Sequence, residues 1–357
     1  MPEQAVRRPD RAGRRSPAGC AALTAAIAAV LTGLLSGTAA AEGAAATPYG
    51  APSTRCDITD QRLPELSGLA SAGDAMLAMN DGGDSAEVYL LDGSCAVGDV
   101  RSAAIDPYDP EDLALGADGT VWIADIGDNV QGRETVALIA LRPDGSSGLT
   151  RLTYPDGPHD AEALLLAPDG TPYIVTKEVL GASSVYRPDA PLADGATVPM
   201  SRVLELGFTL TGTPGGPVGR AGQLLVTGGA VSADGQRIAL RTYTDAYVWP
   251  LTGSDVAGAL SAAPVRIPLP EAPQGEAISF AGNNTDLLVA GEGVPGPVTL
   301  IPAAGALAPA AASAPAEGGT ATLELPHRVS PITAGLIAAV VATGLIWLGG
   351  RFRRRGL

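Results

Sequence analysis

Glutamates recur at the start of apolar runs along the middle of the chain. Five similar segments recur along the chain, and four of them begin with a glutamate that we align at one position. These glutamates are Glu65, Glu111, Glu162 and Glu276. Two aspartates stand beside them, Asp112 and Asp160. If each run is the first strand of a repeated sheet, period-2 alternation turns these side chains toward one common point. The spacing therefore predicts a group of carboxylates at one end of a repeat domain.

A second set of polar side chains lies at the ends of the second strands of the repeats. Its members are Asp81, Asp125, Asp128, Asn129, Lys177 and Arg241. We expect them to surround the glutamates and, together with these, to form a ligand-binding site. Lys177 is the only lysine of the chain, and it follows an apolar strand where an unpaired charge is costly. We therefore expect its ammonium group within salt-bridge reach of Glu111, Asp125 or Glu162.

Oxygen donors dominate this predicted site. Carboxylates and amides without cysteine or histidine partners suit Ca²⁺ or Mg²⁺ better than softer metals. We take Glu111, Asp125, Glu162 and Glu276 as candidate metal ligands, with Ca²⁺ as the candidate cofactor. Packed together without a cation, such carboxyl groups have raised pKa values. The alternative, in which an acid at a strand start only satisfies backbone donors of a turn, stays open for each glutamate.

Short strands in five repeats would hold these residues. Each repeat has an acidic opening, an apolar run, a turn and further strands, in units of roughly 50 residues. The turns Asp118-Gly119, Asp169-Gly170 and Asp234-Gly235 are typical hairpin connections. This pattern predicts an all-β fold, a β-propeller over residues 53–302 with five blades, six being the alternative count. A β-sandwich or an up-and-down barrel explains the strands but not the repeat.

One interval between repeats is longer than the others. We expect its extra residues, 208–222, to form a hairpin or a lid loop, because they contain a Gly- and Pro-rich tract.

The N-terminal region has the order of a secretory signal peptide. Five arginines precede an apolar stretch at residues 21–35, and an Ala-x-Ala site ends at Ala41. We expect residues 1–41 to be cleaved, which leaves a flexible N-terminal segment at residues 42–52. An uncleaved membrane anchor is the alternative, although the apolar stretch is shorter than the roughly 20 residues that a span needs.

The C-terminal region predicts a membrane anchor. Residues 332–349 carry no charge, and four arginines lie between residues 351 and 355. An apolar run followed directly by arginines is typical of a transmembrane helix with its basic end inside. We assign residues 331–350 to the helix, 351–357 to a basic cytoplasmic tail and 303–330 to an Ala/Pro-rich stalk. A soluble core helix is the alternative. The prediction is a single-pass plasma-membrane protein whose domain lies outside the cell.

Charge excludes one class of partner. The formal net charge is −15, but residues 42–326 contain 13 basic and 36 acidic residues and are more acidic still. Such a domain repels nucleic acid and attracts cations. We therefore expect an extracellular ligand or protein as its partner, and no nucleic acid.

Two cysteines remain after signal cleavage. Cys56 and Cys95 form an even pair in an exported domain, which predicts one disulfide. Two free thiols or a metal pair are the alternatives. A strand at residues 53–58 has no repeat of its own, and it could complete the last blade. Cys56 would then lie beside the first blade, close to Cys95.

Several segments resemble those of a family of exported bacterial propeller proteins, common in actinobacteria. They include Asn80-Asp81, Glu111-Asp112-Leu113-Ala114, Asp125-Ile126-Gly127-Asp128-Asn129, His159-Asp160-Ala161-Glu162 and Gln274-Gly275-Glu276. The resemblance covers residues 62–302 and implies an exported propeller. In outline this family is similar to calcium-binding propellers with esterase, lactonase or phytase-like activities. The chain departs from many such esterases because it lacks their histidine pair.

Two functions follow as hypotheses. The first is an envelope module whose acidic channel binds a cation and an extracellular ligand or protein. The second is a Ca²⁺-dependent extracellular hydrolase of esters, lactones or phosphoesters, with a glutamate as base. The chain has no Gly-x-Ser-x-Gly motif and no phosphate-binding Gly-x-x-x-x-Gly-Lys motif, so serine hydrolases and nucleotidases have no support.

Overall fold

The computed structural model describes residues 48–304, and nearly half of them lie in strands. The predicted signal peptide (1–41), transmembrane helix (331–350) and cytoplasmic tail (351–357) lie outside these residues, as do most of the N-terminal segment (42–52) and of the stalk (303–330). Within the described part, none of the helices has both the length and the apolar character that crossing a bilayer requires. The assignments at both ends of the chain stay predictions.

Residues 48–304 form four-stranded antiparallel groups that resemble propeller blades, and we call each group a blade. Blade one contains β2 (Leu66–Ala72), β3 (Ala75–Asn80), β4 (Ala86–Leu91) and β5 (Val97–Ala103). Blade two contains β6 (Pro110–Leu115), β7 (Val121–Asp125), β8 (Val136–Leu141) and β9 (Ser147–Thr153). Blade three contains β10 (Ala161–Leu166), β11 (Pro172–Thr176), β12 (Ala182–Pro188) and β13 (Thr197–Gly207).

The remaining strands form two more groups. Blade four contains β14 (Val226–Val231), β15 (Arg237–Thr242), β16 (Asp245–Pro250) and β17 (Val265–Pro268), with a short helix α1 (Val256–Leu260) between the last two. Blade five contains β18 (Gly275–Phe280), β19 (Leu287–Gly291), β20 (Gly296–Ile301) and, from the other end of the described chain, β1 (Ser53–Ile58). The outer strands of blades two and three also pair in parallel, Thr197 opposite Arg151.

The first strands of the blades form the centre of the domain. Going round, β2 contacts β6, then β10, β14 and β18 follow in turn, and β18 contacts β2 again. Because the strands alternate in direction, all first strands begin at one end of the domain and all second strands finish there. We call this end the mouth. The connections from the second to the third strand, and from each blade to the next, lie at the mouth.

The last blade is completed by β1, as the sequence predicts. Thr54 lies opposite Thr299 of β20, and a disulfide joins Cys56 of β1 to Cys95 beside blade one. The predicted pairing is thereby confirmed. Strands from both ends of the described chain thus meet in one sheet, and a covalent bond joins that sheet to its neighbour.

Apolar faces pack between neighbouring blades. Leu77 and Val88 of blade one, for example, share a core with Leu113 and Ile139 of blade two, as expected for stacked twisted sheets. At the far end from the mouth, Gly119 adopts a φ of 83° in the predicted Asp-Gly turn. The long interval at residues 208–222 contains no strand, so the predicted hairpin is wrong, and a lid role stays a prediction. This interval leads into a 3₁₀ helix at Gly219–Gln223, and Asp245 accepts hydrogen bonds from Thr211 and Thr213.

Candidate functional site

Each first strand has a β-bulge at the same place near its start. The bulges fall between Leu66 and Gly68, Pro110 and Asp112, Ala161 and Ala163, Val226 and Gly228, and Gly275 and Ile278. A bulge leaves a residue outside the ladder and re-aims its side chain. The residues placed there are Ser67, Glu111, Glu162, Thr227 and Glu276, and all five are buried. The repeated bulge is the local feature that gathers these side chains at the mouth.

The predicted equivalence of Glu65 with the other glutamates is wrong. Its Pro-Glu pair matches the one at Glu111 in type, but Pro110 lies inside its strand while β2 begins only at Leu66. The residue in the equivalent position is Ser67, whose hydroxyl donates to the carbonyl oxygen of Glu111 at 2.5 Å. Glu65 lies two residues earlier and is exposed at the outside of the mouth.

In blade four the equivalent residue is Thr227, which the sequence comparison missed. Its hydroxyl donates to the carbonyl oxygens of Gly275 and Glu276, at 3.0 and 3.1 Å. Serine and threonine at the bulge therefore bind the next blade through the backbone, whereas glutamate at this position carries a charge. Only the carboxylates of Glu111, Glu162 and Glu276 make the inner group, which we call the inner carboxylates.

Lys177 forms an ion pair with Glu162, which confirms that part of the prediction. Its ammonium group also lies 5.4 Å from the ring centroid of Tyr243, a cation–π distance. Burial acts to lower the pKa of Lys177, but Glu162, Tyr243 and Glu276 together outweigh it and the pKa is raised overall. The lysine is thus held in its charged form at the centre of the mouth.

Burial raises the pKa of each inner carboxylate. Glu162 rises to about 8, with Lys177 opposing and Glu276 reinforcing the effect of burial. Glu276 rises to about 7, where burial is opposed by Lys177 and Arg241. Glu111 lies well above its usual value because of burial and the neighbouring Glu162. The three carboxyl groups share one lysine, and the pKa of each is raised above that of a free glutamate.

One oxygen of the inner group has no partner within the described residues. The Oε2 atom of Glu276 is buried and accepts no hydrogen bond, and the Nε atom of Arg241 is likewise unpaired. Arg241 is itself buried and donates from Nη1 to the carbonyl oxygens of Ala277 and Ala290, at 2.8 and 2.6 Å. A buried acceptor without a donor is rare in folded proteins and indicates a position for water or ligand.

Further acids stand at the outside of the mouth. Asp81 has its pKa raised to about 6 by burial and by the carboxylates of Glu65, Glu292 and Asp109. Burial also raises the pKa values of Asp109 and Glu292. The sequence offers no reason to select Asp109, which directly precedes β6, whereas Glu292 follows the second strand β19 as the predicted polar residues of the other repeats do. Around the inner carboxylates there is thus an outer group of partly exposed acids.

Asp112 lies below the mouth and binds backbone amides. Its side chain is fully buried, and its two oxygens accept hydrogen bonds from the backbone amides of Leu113, Leu164 and Gly229, at 2.8, 2.9 and 3.1 Å. These amides belong to blades two, three and four. Asp112 therefore joins three first strands across the centre of the domain, and the structure does not bring it together with the inner carboxylates.

Most of the predicted loop acids bind backbone. Asp125 accepts from the amide of Asp109 at 2.9 Å and forms an ion pair with Arg133 at 3.0 Å. Asp128 accepts from the amides of Gly132 and Arg133, and Asp160 accepts from the amide of Asp128, each within 2.9 Å. Asn129 is exposed. These residues shape the connection between β7 and β8 beside the mouth.

Metal binding has no direct geometric support in the described residues. No group of three or more His, Cys, Asp or Glu side chains there has an arrangement that could hold a metal ion. The ammonium group of Lys177 already lies against Glu162, and Asp125 is bound by Arg133. Two of the four candidate ligands, Glu162 and Asp125, thus have other cationic partners, and Ca²⁺ binding by the set stays a prediction.

A cluster of polar side chains around His159 at the mouth was not predicted. The Nε2 atom of His159 lies 3.1 Å from Oδ1 of Asp156 and 3.0 Å from the hydroxyl of Tyr186. Its Nδ1 atom lies 3.6 Å from Oε1 of Glu178, the residue after Lys177. Sequence distance concealed this cluster, because Tyr186 belongs to the third strand of the blade and no short motif joins it to the histidine.

A cleft of about 290 Å³ opens at the mouth under residues 82–85. Its polar lining comes from Asn80, Asp84 and Glu87, and its apolar lining includes Met79 and Ile123. The volume is near the lower end of the range for small-molecule sites. The mouth therefore offers both a charged centre and a neighbouring hollow.

Comparison with known proteins gives fold-level similarity alone. No family model and no curated protein matches the chain. Solved structures with a similar arrangement include a gluconolactonase from Xanthomonas campestris, which is 18% identical, with a TM-score of 0.37 over 65% of this chain and 70% of that one.

Two further structures are of the same kind. Soluble aldose sugar dehydrogenase from Escherichia coli is 12% identical, with a TM-score of 0.39 over 71% of this chain and 99% of that one. Virginiamycin B lyase from Staphylococcus aureus is 11% identical, with a TM-score of 0.36 over 67% and 82%. The similarity is distant. It says nothing about substrate, and membership of the actinobacterial family stays a prediction.

Proposed function

We propose that this chain is an exported, membrane-anchored five-bladed β-propeller that acts as a binding module, with the acidic mouth as its ligand site. The export signal and the C-terminal anchor rest on the sequence pattern of the two ends. The five blades rest on the closed series of first strands. The binding role rests on the inner carboxylates.

The unpaired Oε2 atom of Glu276 carries this proposal. Leaving a buried acceptor without a donor costs roughly 1 to 3 kcal/mol, and the neighbouring Lys177 is already paired with Glu162. A ligand that donates hydrogen bonds into the mouth removes this cost. The surrounding acids favour a ligand group that is positively charged, because negative charge in a partly buried cleft attracts cations.

Titration of the full-length chain in detergent with a small ammonium ion, such as ethylenediamine, tests the proposal. Calorimetry should show saturable binding that is weakened about tenfold or more by Glu276→Gln, since one charged acceptor is worth about 1.5 to 3 kcal/mol. Glu205→Gln, at an exposed position on the outer strand of blade three, is the matched control and should change the affinity little. Equal binding by both variants would place the ligand elsewhere.

A second candidate is an extracellular hydrolase. It is favoured by Glu162 and Glu276, whose pKa values of about 8 and about 7 suit proton transfer near neutral pH. In this role the mouth would bind an ester, lactone or phosphoester and a carboxylate would act as base. Turnover of such substrates that disappears in Glu162→Gln would establish it and displace the binding module. Ca²⁺ dependence is tested separately, because a bound ion raises the melting temperature.

A further inference from the structure

Among residues 48–304, the exposed large apolar side chains are confined to one end of the domain. The large hydrophobic residues that the described part leaves exposed are Tyr108, Val130, Val179, Leu180, Leu210 and Val218. Their exposed fractions run from 49% to 85%. All six lie in connections between a second and a third strand or between two blades, so all six lie at the mouth. We call them the apolar arc.

The arc covers three consecutive blades. Tyr108 precedes β6, Val130 follows β7, and the pair at residues 179–180 follows β11. Leu210 and Val218 lie in the long connection from blade three to blade four. The opposite end, by contrast, has Asp-Gly turns and exposes no large apolar side chain among residues 48–304. Exposed large apolar side chains that gather at one end, beside polar residues, are typical of an interaction site.

Charged residues of the mouth and apolar residues of the arc lie in the same loops. Lys177, paired with Glu162 in the mouth, stands two residues before Val179 on the same loop. Asp109 of the outer acids directly follows Tyr108. A partner that contacts the arc therefore also reaches the carboxylates. The chemistry that satisfies both is a basic side chain with large apolar side chains around it.

We propose that the mouth is a docking surface for an extracellular protein that inserts a lysine or arginine between the acids while its apolar residues cover the arc. This inference rests on the proposed binding role of the mouth and adds the class of partner. Interfaces of this kind combine a buried apolar patch with a charged anchor. An anionic lipid surface fits less well, because the acids repel it.

Peptides of matched design test the inference on the full-length chain in detergent. The probes are acetylated pentapeptide amides with the sequences glycine-leucine-lysine-leucine-glycine, glycine-serine-lysine-serine-glycine and glycine-leucine-glutamate-leucine-glycine. The first should bind about tenfold or more tightly than either of the others, since burying one leucine side chain is worth roughly 1.5 to 3 kcal/mol. Leu180→Ser should remove most of this preference. Ala263→Ser, at an exposed position of the opposite end, should leave it intact.

The outcomes separate this inference from the proposed function. Equal binding of the leucine and serine lysine peptides overturns the docking surface but leaves a cation site in the mouth. Absence of binding by both lysine peptides removes the docking surface and the cation site together. If binding seen in detergent disappears when the chain is placed in phosphatidylcholine nanodiscs, lipid covers the arc and the protein-docking inference is wrong.

Discussion

Replacing Glu276 with glutamine should change how the stability of the protein depends on pH. The fold buries this carboxyl group and raises its pKa from 4.5 to about 7. Between these two values the folded state retains a proton that the unfolded chain has released, so stability falls as pH rises. The contribution is fully present below about pH 4.5 and is lost by about pH 7.

The size of the effect follows from the pKa. Each pKa unit corresponds to about 1.4 kcal/mol, so ionising Glu276 costs the folded state on the order of 3 kcal/mol above pH 7. Glutamine has nearly the same shape and cannot ionise. Glu276→Gln should therefore match the parent near pH 4.5 and exceed its free energy of unfolding by about 2 to 4 kcal/mol at pH 8.

Urea denaturation of the full-length chain at several pH values between 4.5 and 8, followed by tryptophan fluorescence, measures this difference. Glu65→Gln is the matched control: the side chain is exposed at the same end, so its substitution should stay within about 0.5 kcal/mol at every pH. A Glu276→Gln variant that differs from the parent by a constant amount at pH 5 and pH 8 would refute the reasoning. Such a constant difference would mean that the carboxyl group is ionised in the folded state throughout this range.

Three other changes test the structure. Replacing both Cys56 and Cys95 with alanine should lower the free energy of unfolding by roughly 3 to 4 kcal/mol, because the bond joins residues 39 apart; an unchanged urea midpoint contradicts this. Lys177→Met should cost about 1 to 3 kcal/mol at pH 8, since Glu162 loses its cationic partner and takes up a proton in order to stay buried. Adding Glu162→Gln should recover most of that loss, and no recovery would indicate a steric effect. Asp112→Ala should cost about 3 kcal/mol or more by urea denaturation, because three backbone amides lose their acceptor; a loss under about 1 kcal/mol contradicts that role.

The sequence predicted what depends on local pattern. Alternating apolar runs and Asp-Gly turns predicted the strands, and Gly119 and Gly170 both adopt a φ of 83° in those turns. The strand at residues 53–58 belonged to no repeat, and Cys56 had only Cys95 as a partner. Both observations predicted that β1 completes the last blade. The pairing of Lys177 followed from the cost of an isolated buried charge.

The site residues that the sequence did not predict depend on the register of strand pairing at the β-bulges. A bulge shifts the ladder by one residue, and the sequence does not mark where the shift falls. Glu65 was therefore assigned to the position that Ser67 occupies, and Thr227 was overlooked. Asp112 and Asp125 have the residue types of ligands, but their oxygens accept hydrogen bonds from backbone amides that come from other strands and loops. Only the three-dimensional arrangement shows which acids face the mouth.

The pairing of β1 with β20 also sets an order of events during synthesis. The two partners lie about 250 residues apart in the chain, so at roughly 5 to 20 residues per second β1 exists for on the order of 10 to 50 s before its partner is made. Until then its edge is unpaired and Cys56 lies in a strand without a sheet. The Cys56–Cys95 bond joins two early segments, 39 residues apart. If it forms first, it keeps β1 beside blade one until blade five arrives.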